Sequence, residues 1–124
     1  MPKVLLIEDD ATMLILLGTL LEMEGYQVAK IKHEETVEEL LALMRHEKPD
    51  AAMIDIHLRH VNGFDLLARA RQDPKLKHVR FLMSSGLDVS HECIEAGADD
   101  FILKPYTPDD LILRIHSILD QHKS

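Results

Sequence analysis

Apolar residues along this chain follow two alternating spacings, one typical of buried strands and the other of helices with one buried face. Five short stretches are almost continuously apolar, as in strands that are covered on both sides. Between them, apolar residues recur every three or four positions, which predicts amphipathic helices. The predicted strands span residues 4–7, 27–31, 51–54, 80–84 and 101–103. The predicted helices span residues 11–24, 36–46, 64–71, 90–96 and 107–121.

Residues at the ends of these segments support the predicted boundaries. Gly25 and Gly97 follow the first and fourth helices, where glycine commonly ends a helix in the left-handed conformation. Thr107 and Pro108 suit the N-cap and the first position of the last helix. Five strands that each precede a helix predict an α/β fold, with a parallel sheet between two layers of helices.

Composition and charge exclude several classes of protein. With 124 residues, 46% hydrophobic and 29% charged, the chain is predicted to form one globular domain, residues 1–124. No apolar run reaches the length of a membrane span. The single cysteine, Cys93, cannot form an internal disulfide, and we expect a core or surface thiol rather than a nucleophile. Together with a net charge of −8, which disfavours nucleic acid as a partner, these features predict a cytoplasmic protein.

Polar and charged residues stand at the ends of the predicted strands, directly after apolar ones. Glu8 and Asp9 follow the first strand, and Asp55 follows the third. Ser85 and Lys104 follow the fourth and fifth strands. In an open parallel sheet, the carboxyl ends of the strands form the ligand-binding edge. Carboxylates brought together there repel one another unless a cation lies among them, and Mg²⁺ favours such oxygen ligands. The pattern therefore predicts an acidic, magnesium-binding pocket that also contains a hydroxyl and a lysine.

Acidic residues at strand ends also have a simpler interpretation, as caps of the following helices. This interpretation suffices for Asp10, because an acid at the start of a helix is stabilised by the free N–H groups there. The acidic pairs at 99–100 and 109–110 are likewise predicted to be turn and cap residues. Capping does not account for Glu8, Asp9, Asp55 and Lys104 taken together. Under that interpretation, the charged residue at each strand end would need a separate, unrelated explanation.

Four segments of the chain resemble, in their order and spacing, the receiver domain of two-component response regulators. They are LLIEDD, MIDIHLRHVNGFDLL, FLMSSG and EAGADDFILKPY, and the resemblance extends over essentially the whole chain. It implies a doubly wound, flavodoxin-like (βα)5 fold, with five parallel strands in the order 2-1-3-4-5 and helices on both faces. It also implies a single receiver domain without an effector domain, which acts as a phosphoacceptor and not as a conventional turnover enzyme.

The resemblance implies specific roles for the pocket residues. Asp55 is the phosphoacceptor, which takes a phosphoryl group from the phosphohistidine of a histidine kinase or phosphotransfer protein. Glu8, Asp9 and Asp55 hold Mg²⁺ together with the backbone carbonyl of His57. Lys104 pairs with a phosphoryl oxygen and with the Asp55 carboxylate.

Further positions match those that transmit the phosphorylated state in the family. Ser85 corresponds to the hydroxyl that follows the phosphoryl group, and Phe101 to an aromatic residue that turns inward in response. This change is expected to reshape the face formed by residues 90–121, which would bind a downstream protein or a second copy of the chain. Neither nucleic acid nor a membrane is expected as a direct partner. The bond between Lys104 and Pro105 matches a cis peptide of the family.

Three features depart from the usual pattern of the family. Arg59 occupies the position four residues after Asp55 where proline is usual, which loosens the loop and adds a cation near the pocket. The segment between the fourth and fifth strands is shorter than usual, so the fourth helix is expected to be short or irregular. His57 and His60 lie three positions apart and suggest a zinc site, but a third ligand is lacking, and we expect both side chains to point to solvent.

Other functions fit these residues less well. A metal-dependent phosphatase with an aspartate nucleophile needs a second acid two residues later, where this chain has His57. A flavin-binding protein of the same fold class needs a phosphate-binding loop after the first strand, where the acidic residues 8–10 would repel phosphate. The strands exclude a helical histidine phosphotransfer domain. A phosphate sink, or a degenerate receiver that acts only as a docking module, stays the alternative, although such docking modules typically lack Asp55 or Lys104.

Overall fold

The structure, a computed structural model, describes residues 1–120 and contains one five-stranded sheet with helices on both sides. The strands are β1 Lys3–Ile7, β2 Gln27–Lys30, β3 Ala51–Asp55, β4 Arg80–Ser85 and β5 Asp100–Leu103. The helices are α1 Ala11–Met23, α2 Val37–Glu47, α3 Gly63–Gln72, α4 Ser90–Glu95 and α5 Pro108–Asp120. The predicted elements are all present, with ends that differ by at most one residue, and a short 3₁₀ turn at Pro74–Leu76 is added. The predicted end of the last helix, Gln121, lies outside the described residues.

The order of the strands decides which chain ends meet. All strands are parallel, and they lie in the predicted order β2-β1-β3-β4-β5. β1 lies beside β3, with Ile7 opposite Ile54, and β3 lies beside β4, with Asp55 opposite Ser84. β5 forms the edge of the sheet beside β4. As a result, the polar residues at the ends of four strands open onto the same end of the sheet.

Alternate residues of β1 pack into two separate hydrophobic cores, one on each side of the sheet. Leu5 and Ile7 lie in the core formed with α2, α3 and α4. Val4 and Leu6 lie in the core formed with α1 and α5. None of these four side chains is more than 1% exposed. Because both faces of the strand are buried, its sequence is apolar without alternation, which is the pattern that predicted it.

Two predicted helix caps and the predicted short helix are present. Asp10 caps α1, since its Oδ1 accepts hydrogen bonds from the backbone N–H groups of Thr12 at 2.9 Å and Met13 at 3.2 Å. Thr107 caps α5, with its Oγ1 accepting the N–H of Asp110 at 3.1 Å. α4 has only 6 residues, as expected from the short segment between β4 and β5. Within residues 1–120, none of the helices is long and apolar enough to cross a membrane.

The prediction that Asp99 is only a turn residue is wrong. Its Oδ2 accepts hydrogen bonds from the Arg71 guanidinium at 2.7 Å and from the backbone N–H of Phe81 at 2.8 Å. Arg71 also donates to the carbonyl oxygens of Val79 and Gly97, at 2.8 and 2.7 Å, and its guanidinium lies over the Phe81 ring. This partly buried cluster ties the end of α3 to the starts of β4 and β5.

We expect Asp99→Ala to lower the free energy of unfolding by about 2–3 kcal/mol, because it leaves the Phe81 N–H and the Arg71 guanidinium without their shared acceptor. Urea denaturation followed by circular dichroism measures this loss. Asp109→Ala is the matched control: Asp109 is an exposed acid in the first turn of α5, so its removal should cost less than about 1 kcal/mol. Equal losses in the two variants would show that the Asp99 cluster does not stabilise the fold.

Candidate functional site

The carboxylates of Asp55 and Glu8 converge on the ammonium group of Lys104. The Nζ atom of Lys104 lies 3.1 Å from Asp55 Oδ2 and 3.3 Å from Glu8 Oε2. Asp55 ends β3, while Glu8 and Lys104 come directly after β1 and β5, so the parallel sheet itself brings them together. Both acids are buried, with 8% of Asp55 and 7% of Glu8 exposed. Three of the residues predicted from their strand-end positions therefore lie in contact.

Backbone amides hold the second oxygen of each carboxylate. Asp55 Oδ1 accepts a hydrogen bond from the N–H of His57 at 3.0 Å, and Glu8 Oε1 accepts one from the N–H of Asp10 at 3.2 Å. Hydrogen bonds to an ionised acceptor are stronger than those between neutral groups. The orientation of both carboxylates is therefore set by groups of the protein itself.

The positive charge of Lys104 is stabilised by its two acidic partners. Burial alone would lower the pKa of Lys104, but the hydrogen bond to Asp55 and the charges of Glu8 and Asp55 outweigh burial and raise this pKa above its ordinary value. The ammonium group therefore stays protonated at neutral pH, as a fixed positive charge beside the Asp55 oxygen.

Asp9 is tied to the loop that follows β3. Its Oδ2 accepts a hydrogen bond from the backbone N–H of Arg59. Proline, which the family resemblance leads us to expect at this position, has no N–H and could not donate this hydrogen bond. The arginine therefore does not simply loosen the loop, because it adds a link between the loop and an acidic residue of the site.

The oxygen donors of the site suit a hard divalent cation. Residues 1–120 contain no group of three His, Cys, Asp or Glu side chains that lie close enough together to hold a metal ion. Nevertheless, oxygens of Glu8 and Asp55 already share one cation, the Lys104 ammonium, and Asp9 is the next residue after Glu8. Carboxylate oxygens are the ligands that Mg²⁺ prefers. The predicted ligand set is therefore chemically suited to this ion.

His57 is exposed, as predicted, but its imidazole also has a partner within the protein. Its Nε2 lies 2.8 Å from Oγ of Ser85, which is completely buried. His60 is exposed, and its Nε2 instead lies 4.0 Å from Oε1 of Glu35. The two histidines thus have different partners, and no zinc cluster is found among the described residues.

Three other predicted residues lie near the site or in the adjoining core. Phe101 is only 7% exposed and packs in the core formed with α2, α3 and α4, so the expected inward turn has no outward starting position in the structure. Cys93 is buried in the same core, and burial raises the pKa of its thiol to about 11, which confirms a core thiol. The Lys104-Pro105 peptide is cis, as the resemblance implies.

Beside Lys104 lies an apolar groove that the sequence patterns do not single out. The hydroxyl of Tyr106 is buried there without a hydrogen-bond partner among the described residues, and burial raises the pKa of Tyr106 to about 12. The feature of the sequence that could have indicated this groove is the run 11–21, which contains no charged residue. As a result, the exposed side of α1 carries apolar side chains such as Ile15 and Leu16. The groove has a volume of about 650 Å³ and is lined by Met13, Leu16, Leu17, Leu20, Lys104, Pro105, Tyr106 and Pro108.

Comparisons with known proteins agree with this geometry. The family model of the response regulator receiver domain matches residues 4–116. The DNA-binding dual master transcriptional regulator RpaA of Synechocystis is 32% identical over 124 residues, which cover 96% of this chain and 49% of that protein. A crystal structure from Chloroflexus aurantiacus, of a protein named as a response regulator, is 32% identical, with a TM-score of 0.84 over 95% of this chain and 97% of that chain.

A further solved structure is similar in fold at lower identity. The receiver domain of a sensor histidine kinase from Pseudomonas aeruginosa, which has a magnesium ion coordinated in its active site cleft, has a TM-score of 0.81 at 20% identity over 95% of this chain and 97% of that chain. The chain spans about half the length of the curated relatives it matches. The family match, in contrast, covers nearly all of the chain itself. The chain therefore belongs to the response regulator receiver domain family, whose members are signalling modules of two-component systems.

Proposed function

We propose that Asp55 is the phosphoacceptor of this receiver domain. The observation that supports this role is the position of Asp55 Oδ2, at the open end of β3 and 3.1 Å from the Lys104 ammonium. A carboxylate oxygen attacks the phosphorus of a phosphohistidine on a histidine kinase or phosphotransfer protein. The new O–P bond forms as the P–N bond to the donor imidazole breaks, and the product is an acyl phosphate. Lys104 neutralises part of the charge that the phosphoryl oxygens bring to this position.

We propose Mg²⁺ as the cofactor, held by Glu8, Asp9 and Asp55 with the backbone carbonyl of His57. When bound, the ion gathers the phosphoryl oxygens and offsets their charge. The protein contributes oriented carboxylates, because a backbone N–H group donates to one oxygen of each of the three acids. The ligand chemistry of the site supports this cofactor.

The electrostatics of Glu8 also favour a cation at this site. Burial raises the pKa of Glu8, and the charge of Asp55 raises it further, whereas the N–H of Asp10 and the Lys104 ammonium act in the opposite direction. The net effect is a raised pKa, so ionised Glu8 is less stable in the folded site than in water. An additional positive charge would relieve this destabilisation.

We propose Ser85 as the switch hydroxyl and Phe101, which already lies inward, as the residue that couples it to the core. Ser85 ends β4, between the strands that precede Lys104 and contain Asp55, and its carbonyl accepts the backbone N–H of Lys104 at 2.8 Å. Phe101 packs in the same core as Cys93 of α4. A displacement at the end of β4 can therefore reach α4 through β5, which pairs with β4, and through the core that Phe101 and Cys93 share.

The face formed by residues 90–120 is the proposed surface for a downstream protein or a second copy of the chain. The range predicted from the sequence ends at Gln121, which lies outside the described residues. The net charge of −8 argues against direct binding of nucleic acid, and we propose no membrane contact. We further propose a cytoplasmic module that promotes only its own phosphorylation and dephosphorylation, without turnover of a separate substrate. A phosphate sink is the alternative, with the same chemistry at Asp55 and no response on this face.

Phosphorylation of Asp55 can be tested with acetyl phosphate and Mg²⁺. Intact-mass spectrometry should detect one labile phosphoryl addition on the wild-type chain and none on Asp55→Asn, because a carboxamide cannot replace the carboxylate as nucleophile. Asp88→Asn removes an exposed carboxylate between β4 and α4 and should be labelled like the wild type. Labelling of Asp55→Asn would refute the assignment. If neither acetyl phosphate nor a panel of histidine kinases phosphorylated the wild-type chain, a docking module would be favoured.

Binding of Mg²⁺ should stabilise the fold through Asp9. At ten times its dissociation constant, the ion should add about 1.4 kcal/mol to the free energy of unfolding of the wild type, a rise of a few degrees in Tm. Asp9→Asn should lose most of this rise, because the carboxamide is a weaker ligand. Asp65→Asn, which alters an exposed acid of α3, should keep it. Equal Mg²⁺ effects in Asp9→Asn and wild type would exclude Asp9 as a ligand.

The raised pKa of Glu8 predicts a pH-dependent effect of Glu8→Gln in the absence of Mg²⁺. A carboxyl whose pKa is higher in the folded than in the unfolded state favours folding below its ordinary value of 4.5, and this advantage disappears as pH rises through the folded pKa. Glu8→Gln should therefore melt a few degrees above wild type in EDTA at neutral pH, and the difference should shrink as the pH falls. Glu22→Gln, on the exposed side of α1, should show neither effect. A lower Tm of Glu8→Gln at neutral pH would show that the pairing with Lys104 dominates.

A further inference from the structure

The hydroxyl of Ser85 has two hydrogen-bond partners, and one of them comes from another loop. Oγ accepts the backbone N–H of Leu87 at 3.0 Å and lies 2.8 Å from Nε2 of His57. The neighbouring hydroxyl, that of Ser84, is also buried and has no partner among the described residues. The contact with His57 is therefore specific to the hydroxyl that the proposed function makes the switch.

His57 contacts both Asp55 and Ser85. Its backbone N–H donates to Asp55 Oδ1 at 3.0 Å, and its imidazole reaches Ser85 across to the end of β4. The loop that contains it is closed by an antiparallel bridge between His57 and Asn62 and by the N–H of Gly63, which donates to the carbonyl of Ile56 at 3.1 Å. The backbone at His57 is thus anchored, and the imidazole is aimed at Ser85 from a fixed base.

The protons on these groups can be assigned by counting donors and acceptors. A serine hydroxyl has one proton to donate and two lone pairs, and the N–H of Leu87 already uses one lone pair. If Nε2 of His57 carried a proton, both lone pairs would be used, and the buried hydroxyl proton would be left without an acceptor. If Nε2 is unprotonated, it accepts this proton and every group is satisfied. The second arrangement is favoured, because an unsatisfied buried donor is costly.

The donation to His57 conflicts with the role of Ser85 in the proposed function. A phosphoryl group on Asp55 presents only acceptor oxygens, so Ser85 can bind it only by donating the same proton. The hydroxyl cannot donate one proton fully to both acceptors. Since the His57 side chain is exposed, water can replace Ser85 as its partner when this contact breaks.

We propose that His57 is a positioning residue that holds the Ser85 hydroxyl away from the phosphoryl group and so opposes the phosphorylated state. This inference rests on the proposed function of Asp55 and Ser85. An ordinary hydrogen bond contributes little net free energy in water, so removing this one should tighten binding of a phosphoryl mimic by about two- to tenfold.

Beryllofluoride with Mg²⁺, which imitates the phosphoryl group, tests this inference. The apparent Kd is measured at one fixed pH by NMR titration, from the amide signals of Ser85 and Leu87. His57→Phe removes the acceptor and should lower the Kd by about two- to tenfold relative to wild type. His57→Gln restores an acceptor oxygen and should return the Kd toward the wild-type value. His60→Phe changes an exposed histidine of the same loop and should leave the Kd unchanged.

A double-mutant cycle separates this role from a general effect on the loop. In the Ser85→Ala background there is no hydroxyl to hold, so His57→Phe should no longer tighten binding. An unchanged or weaker affinity of His57→Phe would overturn the inference, and so would the same gain in the Ser85→Ala background. In either case wild type would still bind beryllofluoride, and the proposed function would stand. If wild type itself did not bind beryllofluoride and was not labelled at Asp55, both the function and this inference would fail.

Discussion

Two buried carboxylates, those of Glu8 and Asp55, share the ammonium group of Lys104 at the open end of the sheet. Burial of an unpaired charge is strongly unfavourable, and the Lys104 ammonium supplies the opposite charge beside both carboxylates. The pairing requires the ends of β1, β3 and β5 to lie at the same height, which a parallel sheet provides. Lys104, which follows the edge strand β5, therefore contacts acids at the ends of the inner strands β1 and β3. The geometry of the site thus depends on where β5 lies.

β5 is a four-residue edge strand, and two arginines hold it in place. Arg71 from α3 binds Asp99, the residue before β5, while Arg114 from α5 donates to Asp100 at 3.0 Å and to the carbonyl of Phe101 at 2.8 Å. Short edge strands have few ladder hydrogen bonds, and these side-chain bonds add to those that hold the strand to β4. The start of β5 is thus set by arginines, and its end presents Lys104 to the carboxylates.

The loop after β3 binds the acids through its backbone rather than through its side chains. The N–H groups of His57 and Arg59 donate to Asp55 and Asp9. Such bonds do not depend on side-chain identity, except that proline cannot donate. The loop side chains are therefore available for other contacts, and His57 makes one with Ser85. In this way the same short loop orients the proposed phosphoacceptor and restrains the proposed switch hydroxyl.

The sequence by itself determined the fold and the core of the site. Continuous apolar strands and periodic helices specify parallel βα units, whose strand ends lie at one edge of the sheet. The strand order that the receiver resemblance implies places the ends of β1, β3 and β5 close together, so Glu8, Asp55 and Lys104 could be grouped in advance. The tertiary structure decided the rest: the contact of His57 with Ser85, the arginine cluster at Asp99 and the burial of Phe101. These features join segments distant in the chain through loops and side-chain rotamers, which leave no periodic pattern in the sequence. Their partners depend on packing distances of a few ångströms, and only the folded chain sets those distances.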